Sequence, residues 1–236
     1  MSASDTFKEL LRLLTLACQV VRLPVARLRF DRGLDPAEIE ATYRNFTRPH
    51  PRYKLIPNKA MGMAVLDLEA FASSADYAAS LRKKDYAAYH AKRAQARGYQ
   101  LAEIDRNAYV DDIHLINTSA AIRQGRPMDA TYHDKKLDYQ DRDYFKYFGV
   151  LNKQGKLVAY CNVAIFGNFA STDQLLGYKN NDGVMYFLIL KIACRLIDEG
   201  RLHYFMYDTF LGARPGLRNF KKKLGFRPYR VRYSVK

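Results

Sequence analysis

YFKYFGVLNKQGKLVAYCNVAIF, residues Tyr144–Phe166, decides the fold. Two runs rich in aromatic and β-branched residues, Tyr144–Leu151 and Lys156–Phe166, flank Asn152-Lys153-Gln154-Gly155. Apolar runs of strand length around a short glycine-containing turn predict a β-hairpin. Downstream, a loop with Gly167 and Gly177 leads to Asp182, expected to cap the strongly apolar helix Val184–Glu199, which Gly200 ends. Strand Leu202–Thr209, helix Leu217–Leu224 and strand Tyr229–Val235 follow. This half reads β-β-α-β-α-β. A hairpin followed by strands alternating with helices gives an α/β (α+β) fold, a mixed, mostly antiparallel twisted sheet with helices on its faces.

Toward the N-terminus, apolar residues at helical spacing predict a helix over residues 5–22, ended by Pro24. Asp35-Pro36 opens a second helix to about Phe46, with proline at the first helical position, where no N–H is needed. Three prolines within Thr47–Lys59 mark a loop and the expected boundary between an N-terminal helical extension (1–58) and the main domain (59–236). Strand Gly62–Leu68 comes next. Ser73 or Ser74 then caps one long helix running to Arg97, stopped by Gly98. Tyr99–Ile104 reads as a strand, 107–123 as a helix and Gly125–Arg142 as a polar loop.

Of the 236 residues, 48% are hydrophobic, enough for a sizeable core. Lys and Arg number 39 against 24 acids, a formal charge of +15. Such an excess fits either a solubilising surface or a polyanionic partner, and its uneven distribution favours the partner. Cys18, Cys161 and Cys194 are odd in number, far apart and set in apolar runs, so they read as buried thiols of a reducing compartment. The start, MSASDTFKELLRLL, lacks the pattern of a signal peptide, and no run approaches the ~18 apolar residues of a membrane span. A cytoplasmic protein is expected.

The charge concentrates in two places. Arg214–Lys236 holds nine Lys and Arg and no acid, with Phe220, Phe226, Tyr229 and Tyr233 interleaved. It is either a solvated edge or a polyphosphate-binding surface, and its purity favours the second. On the long helix, Arg82, Arg93 and Arg97 fall within roughly 60° of one another at helical pitch. Two basic surfaces suit an extended anion better than a single phosphate. Arg123 and Arg126, in a polar glycine-containing stretch, are candidates to line a substrate site. There is no nucleophile motif and no Walker loop, and the five histidines stand singly, so no metal is expected. Chemistry would rely on positioning, backbone donors and a Lys or Tyr.

GLRNFKKKLGF (Gly216–Phe226) resembles the C-terminal signature of FemAB-type aminoacyl-tRNA-dependent transferases. YAASLRKKDYAAYHAKRAQARGYQLAEID (Tyr77–Asp105) is similar to that family's basic helix and following strand, and the order from hairpin to final strand is similar to the second half of the GNAT fold. Together these cover about half of the chain. The resemblance implies an N-acyltransferase moving an aminoacyl group from aminoacyl-tRNA to an amine on a peptide, a protein N-terminus or a small metabolite, with no metal or organic cofactor. It makes Lys221, after Phe220, the group that stabilises the oxyanion. Tyr204, Tyr207 and Asp208, on or after the penultimate strand, are then candidates for proton transfer. Arg82, Arg93, Arg97, Arg218, Lys222, Lys223, Arg227 and Arg230 would hold RNA phosphates. Two alternatives stay open: an acyl-CoA-dependent GNAT N-acetyltransferase, although Tyr178–Gly183 lacks the usual glycine spacing of a CoA loop, and a non-catalytic RNA-binding module.

Overall fold

The computed structural model describes residues 19–51, 54, 56–82, 86–123, 126–180 and 182–236, Arg126 by its backbone alone. In chain order these form β1 (Val25–Phe30), α1 (Pro36–Thr47), β2 (Met61–Asp67), α2 (Ser74–Ser80), α3 (Ala87–Ala96), β3 (Gln100–Glu103) and α4 (Val110–Thr118). A two-residue pair follows, β4 (Ile122–Arg123) and β5 (Arg126–Pro127), and then the hairpin β6 (Phe145–Leu151) and β7 (Leu157–Ile165). The rest is β8 (Phe169–Gly177), α5 (Val184–Glu199), β9 (Tyr204–Thr209), α6 (Pro215–Lys223) and β10 (Arg227–Val235).

Eight strands make one sheet in the order β1-β10-β2-β9-β8-β7-β6-β3. β1 runs parallel to β10 and β8 parallel to β9, and every other neighbouring pair is antiparallel. Alternation along the strands divides the core. Ala64, Leu66 and Phe205 face a layer of α2, α3 and α5, whereas Met63, Val65 and Met206 face Ile39 and Phe46 of α1. Ile113 and Ile116 of α4 cover the far end of that second face against Tyr147, Tyr160 and Leu176. The apolar helix α5 buries Phe187, Leu188, Ile189, Ile192 and Leu196. At roughly 1.5–3 kcal/mol per large side chain, it is a main contributor to holding the sheet. No helix among the described residues is long and apolar enough to cross a membrane.

The hairpin, α5, β9, α6 and β10 lie where the sequence puts them, and Asp35 caps α1 by accepting from the Glu38 N–H at 3.1 Å. Other expectations need correction. The first predicted helix, 5–22, falls largely outside the described residues. Residues 25–30, left without an element, form β1, whose Phe30 packs edge-on against Tyr43, Phe46 and Phe169. The single helix expected from Ser74 to Arg97 is two. α2 tightens at its end, where Leu81 and Arg82 donate to Ala78 and Ala79, and its Tyr77 hydroxyl is fixed on the Leu224 carbonyl at 2.8 Å. α3 then buries its own stripe, Ala87, Ala91 and Ala94. Arg82 therefore does not share a helix face with Arg93 and Arg97.

The loop expected after Phe166 is strand β8. Its buried ends, Phe169, Ala170 and Leu176, are apolar, but Ser171-Thr172-Asp173-Gln174 between them carries no strand period. β8 pairs with β9 only from Phe169↔Tyr204 to Ser171↔Met206, and beyond that the two strands part.

Candidate active site

A cleft opens where β8 and β9 separate, and both of its walls are bulged. Against β7, the partners of Cys161 and Val163 are Leu175 and Thr172, which leaves an extra residue at Asp173-Gln174. Against β2, the partners of Val65 and Met63 are Met206 and Thr209, which leaves an extra residue at Tyr207-Asp208. Bulges break the ladder and re-aim side chains. Asp208 has a φ of 46°, the one positive φ at a residue other than glycine among the described residues.

The bulge in β9 leaves carbonyls for Lys221. Its Nζ donates to the Tyr207 and Thr209 oxygens, both at 2.6 Å, and sits 4.3 Å from the centre of the Tyr207 ring. Lys221 is only 1% exposed. Burial pulls its pKa down to about 8, Lys59 adds to that, and Asp208 works in the opposite sense. A buried ammonium with two of its three donors engaged is a fixed positive charge at the end of the cleft.

The cavity here measures about 610 Å³ and is lined by Ser171–Leu176, Tyr207, Asp208, Lys59 and Arg142, with Leu217 and Lys221 from α6. Asp208 accepts from Lys59 Nζ at 2.7 Å. Burial tends to raise the Asp208 pKa, but Lys59 and, less strongly, Lys221 outweigh it and hold the carboxyl below its ordinary value. Across the cleft, burial raises the Asp173 pKa against the pull of Arg142 and Lys59. Burial also keeps the Tyr207 phenol well above its ordinary pKa. The site thus joins a fixed cation, a carboxylate held ionised, a carboxylate with raised basicity and a phenol held protonated.

Three of the sequence-derived candidates meet at this cavity: Lys221, Tyr207 and Asp208. Tyr204 lies at the paired start of β9 beside Phe169 and does not line it. Phe220 packs on Tyr186 at 4.6 Å and on Tyr207 at 6.4 Å, and it borders a different cavity. Arg123 is a structural tie, donating to the carbonyls of Gly177 and Ile116 and to the Ser119 hydroxyl. The Arg126 side chain lies outside the described residues.

The basic residues do not form one groove. Successive residues of α6 turn by about 100°, so Leu217 and Lys221 face the cleft, Phe220 faces the start of α5, and Arg218 and Lys222 face away toward Arg227. Lys223 lines none of these cavities. Arg230 donates to the Leu23 carbonyl beside β1, a structural role. Arg82 is exposed after α2. Arg97 pairs with Asp182, which also accepts from the Tyr99 hydroxyl at 2.8 Å. Asp182 is therefore not the cap of α5. Gly183, at φ 82°, holds that place and offers no side chain. Arg93 lies by this uncapped helix start with His90, whose ring stacks on Tyr186 at 4.6 Å.

Asp173 and Lys59 were missed by sequence reasoning. The one available signal for Asp173 was a polar Thr-Asp-Gln interrupting apolar residues on both sides. Lys59, in the proline-rich loop, gave none.

No family model matches the sequence, and no curated protein matches it. Solved structures do. FemX superposes with a TM-score of 0.53 at 10% identity, over 71% of this chain and 59% of that one. L-PGS from Bacillus licheniformis matches at TM-score 0.46 and 18% identity, over 70% of this chain and 57% of its own. A tandem GNAT protein from the clavulanic acid biosynthesis pathway matches at 0.45 and 17%, over 72% and 50%. The chain spans less than two thirds of the length of each. It has the GNAT-like mixed α/β fold, shared with FemX.

Proposed function

We propose that the chain is an acyltransferase that moves an aminoacyl group from aminoacyl-tRNA to an amine acceptor. The observation that carries this reading is the buried Lys221 ammonium, held by two carbonyls at the end of the cleft between β8 and β9. When an amine nitrogen attacks the ester carbonyl, its oxygen becomes an anion. The remaining N–H of Lys221 stabilises that anion, and a preorganised donor of this kind accelerates acyl transfer by about 10²–10³-fold. Asp173 takes the proton released by the amine. As the carbon–oxygen bond to the ribose breaks, Tyr207, kept protonated by burial, protonates the leaving oxygen. Asp208 is ionised by Lys59 and orients that lysine rather than supplying a proton. Lys59 and Arg142, solvent-accessible cations that line the cleft, meet the phosphates of the polyanionic donor. A cytoplasmic setting fits the free thiols of Cys161 and Cys194.

The test is incubation with a pool of radiolabelled aminoacyl-tRNAs and a cell extract. Label leaving the RNA with the native chain and not with Lys221→Met supports the proposal, and equal release from both sinks it.

One observation favours a second reading, an acyl-CoA donor. The uncapped start of α5, with Arg93 and His90 around a cavity of about 450 Å³, suits a phosphate at a helix N-terminus. A rise in melting temperature with acetyl-CoA and none with tRNA would select it.

A further inference from the structure

Asn162 is 4% exposed in β7, among apolar and aromatic neighbours. It stands opposite the bulge of β8: Cys161 and Val163 on either side of it pair with Leu175 and Thr172, and Asp173-Gln174 fill the interval. Alternation sets Asn162 on the same sheet face as Tyr160 and Ala164, and Ala164 lines the cleft. Its Nδ2 donates to Gln174 Oε1 at 3.0 Å. An amide is sunk in such a strand at a cost unless its hydrogen bonds are met. Here the bond also decides which end of Gln174 is turned to the cleft.

With its oxygen engaged, Gln174 offers its N–H to the Tyr132 hydroxyl, a hydrogen bond that draws the phenol pKa down. Burial and the charges of Asp173 and Asp129 outweigh that bond, so Tyr132 stays protonated. Its turn is held by Asp129, which accepts from the Thr131 N–H at 3.0 Å and from the Thr131 hydroxyl at 2.8 Å. A hydroxyl that accepts from an amide still has its own proton to give. Tyr132 and Asp173 line the same cavity, so that proton is available where the attacking amine meets its base.

We propose that the Tyr132 hydroxyl reads the amine acceptor, donating to an oxygen that the acceptor carries close to its amino group. Gln174, and Asn162 behind it, are positioning residues that keep Tyr132 a donor. The acceptor class is then the N-terminal residue of a peptide, whose carbonyl follows the amine by one carbon. An alkylamine has no such oxygen and leaves the Tyr132 proton without a partner, and a site built around a hydrogen bond discriminates against the analogue that lacks it. The inference rests on the acyl transfer proposed above for its reaction, but not for its binding step.

The test compares dialanine amide with the oxygen-free hexylamine. Both are titrated into the full chain by calorimetry without RNA, and both are then offered as acceptors of label from the aminoacyl-tRNA pool. Tyr132→Phe should cut the ratio of dialanine amide to hexylamine about tenfold, in affinity and in kcat/KM. Gln174→Glu is nearly isosteric, but its carboxylate accepts from both Asn162 and Tyr132 and so draws the hydroxyl proton away from the cleft. It should lower the ratio in the same way, and Asn162→Leu, which frees Gln174 to turn over, should do so to a smaller extent. Melting temperatures confirm that each variant folds. Failure of dialanine amide to bind, or a ratio that stays the same in Tyr132→Phe, overturns the inference, and an equal loss for both amines assigns Tyr132 to folding or to Asp173 and overturns it too. Selective binding without transfer of label would remove the proposed donor and leave the Tyr132 contact standing. Transfer by the native chain and by Tyr132→Phe at one ratio would keep the donor and remove the contact.

Discussion

Lys59 Nζ lies 2.7 Å from Asp208 Oδ1, joining the loop before β2 to the bulge of β9 beside the buried Lys221. The pair is electrostatic furniture for the cleft rather than a strong staple. The Asp208 side chain is 53% exposed, so solvent screens most of the attraction. Lys59→Met should cost at most about 1 kcal/mol in urea unfolding. The folded pKa of Asp208 is depressed, so its stabilisation is present above the unfolded value and disappears as pH falls through the folded one. The difference between native chain and variant should therefore vanish in acid. A difference that persists there would show that the pair acts by packing.

Lys221→Met removes the ammonium and leaves the Tyr207 and Thr209 carbonyls without their donor. Turnover should drop about 10²–10³-fold. Stability should change by about 1–3 kcal/mol. Single-turnover transfer and thermal melting separate the two effects.

Burial depresses Lys221 from 10.5 to about 8, which ties both rate and stability to pH. Above about 8 the ammonium is lost, and the transfer rate should fall. Between about 8 and 10.5 the unfolded chain keeps a proton that the folded chain has released, so stability should rise with pH across that window. Urea midpoints measured from pH 8 to 10.5 should show this rise for the native chain and lack it for Lys221→Met.

Asp173 tests the bulge of β8. Its pKa is raised by burial, so ionising it at neutral pH works against folding. Asp173→Asn should leave the melting temperature unchanged or higher and slow transfer, with the loss carried by kcat rather than by affinity for RNA. A lower melting temperature with unaltered kcat would assign the residue to structure alone.

Gly183→Ala places a side chain at φ 82°, where the new carbon would press on the His90 carbonyl of α3. A loss of about 1–3 kcal/mol is expected. Circular dichroism melting checks it, and an unchanged melting temperature would mean that α3 yields at that point.

Elements with a strong local period were legible in the sequence: the hairpin around Gly155, the apolar α5, and α6 with its cluster of lysines. Elements whose shape is decided by distant partners were not. β8 is polar in its middle, where it lines a cavity, so the alternation that betrays a strand is missing there. β1 is held by pairing with β10, over two hundred positions away in the sequence. Asp182 has the composition and place of a helix cap, but Arg97 and Tyr99 compete for its oxygens. Lys221 was identifiable through a resemblance, whereas Lys59 and Asp173 become partners of that site only when β2, β8 and β9 come together.

The parallel pairing of Val25 with Arg230 has a kinetic consequence. β10 lies between β1 and β2, so during synthesis β1 has no strand partner in the sheet until β10 emerges, and only the turn at Phe166–Asn168 offers it hydrogen bonds before then. Closure of so large a loop makes this edge slow to form and leaves an unpaired strand exposed to other nascent chains meanwhile.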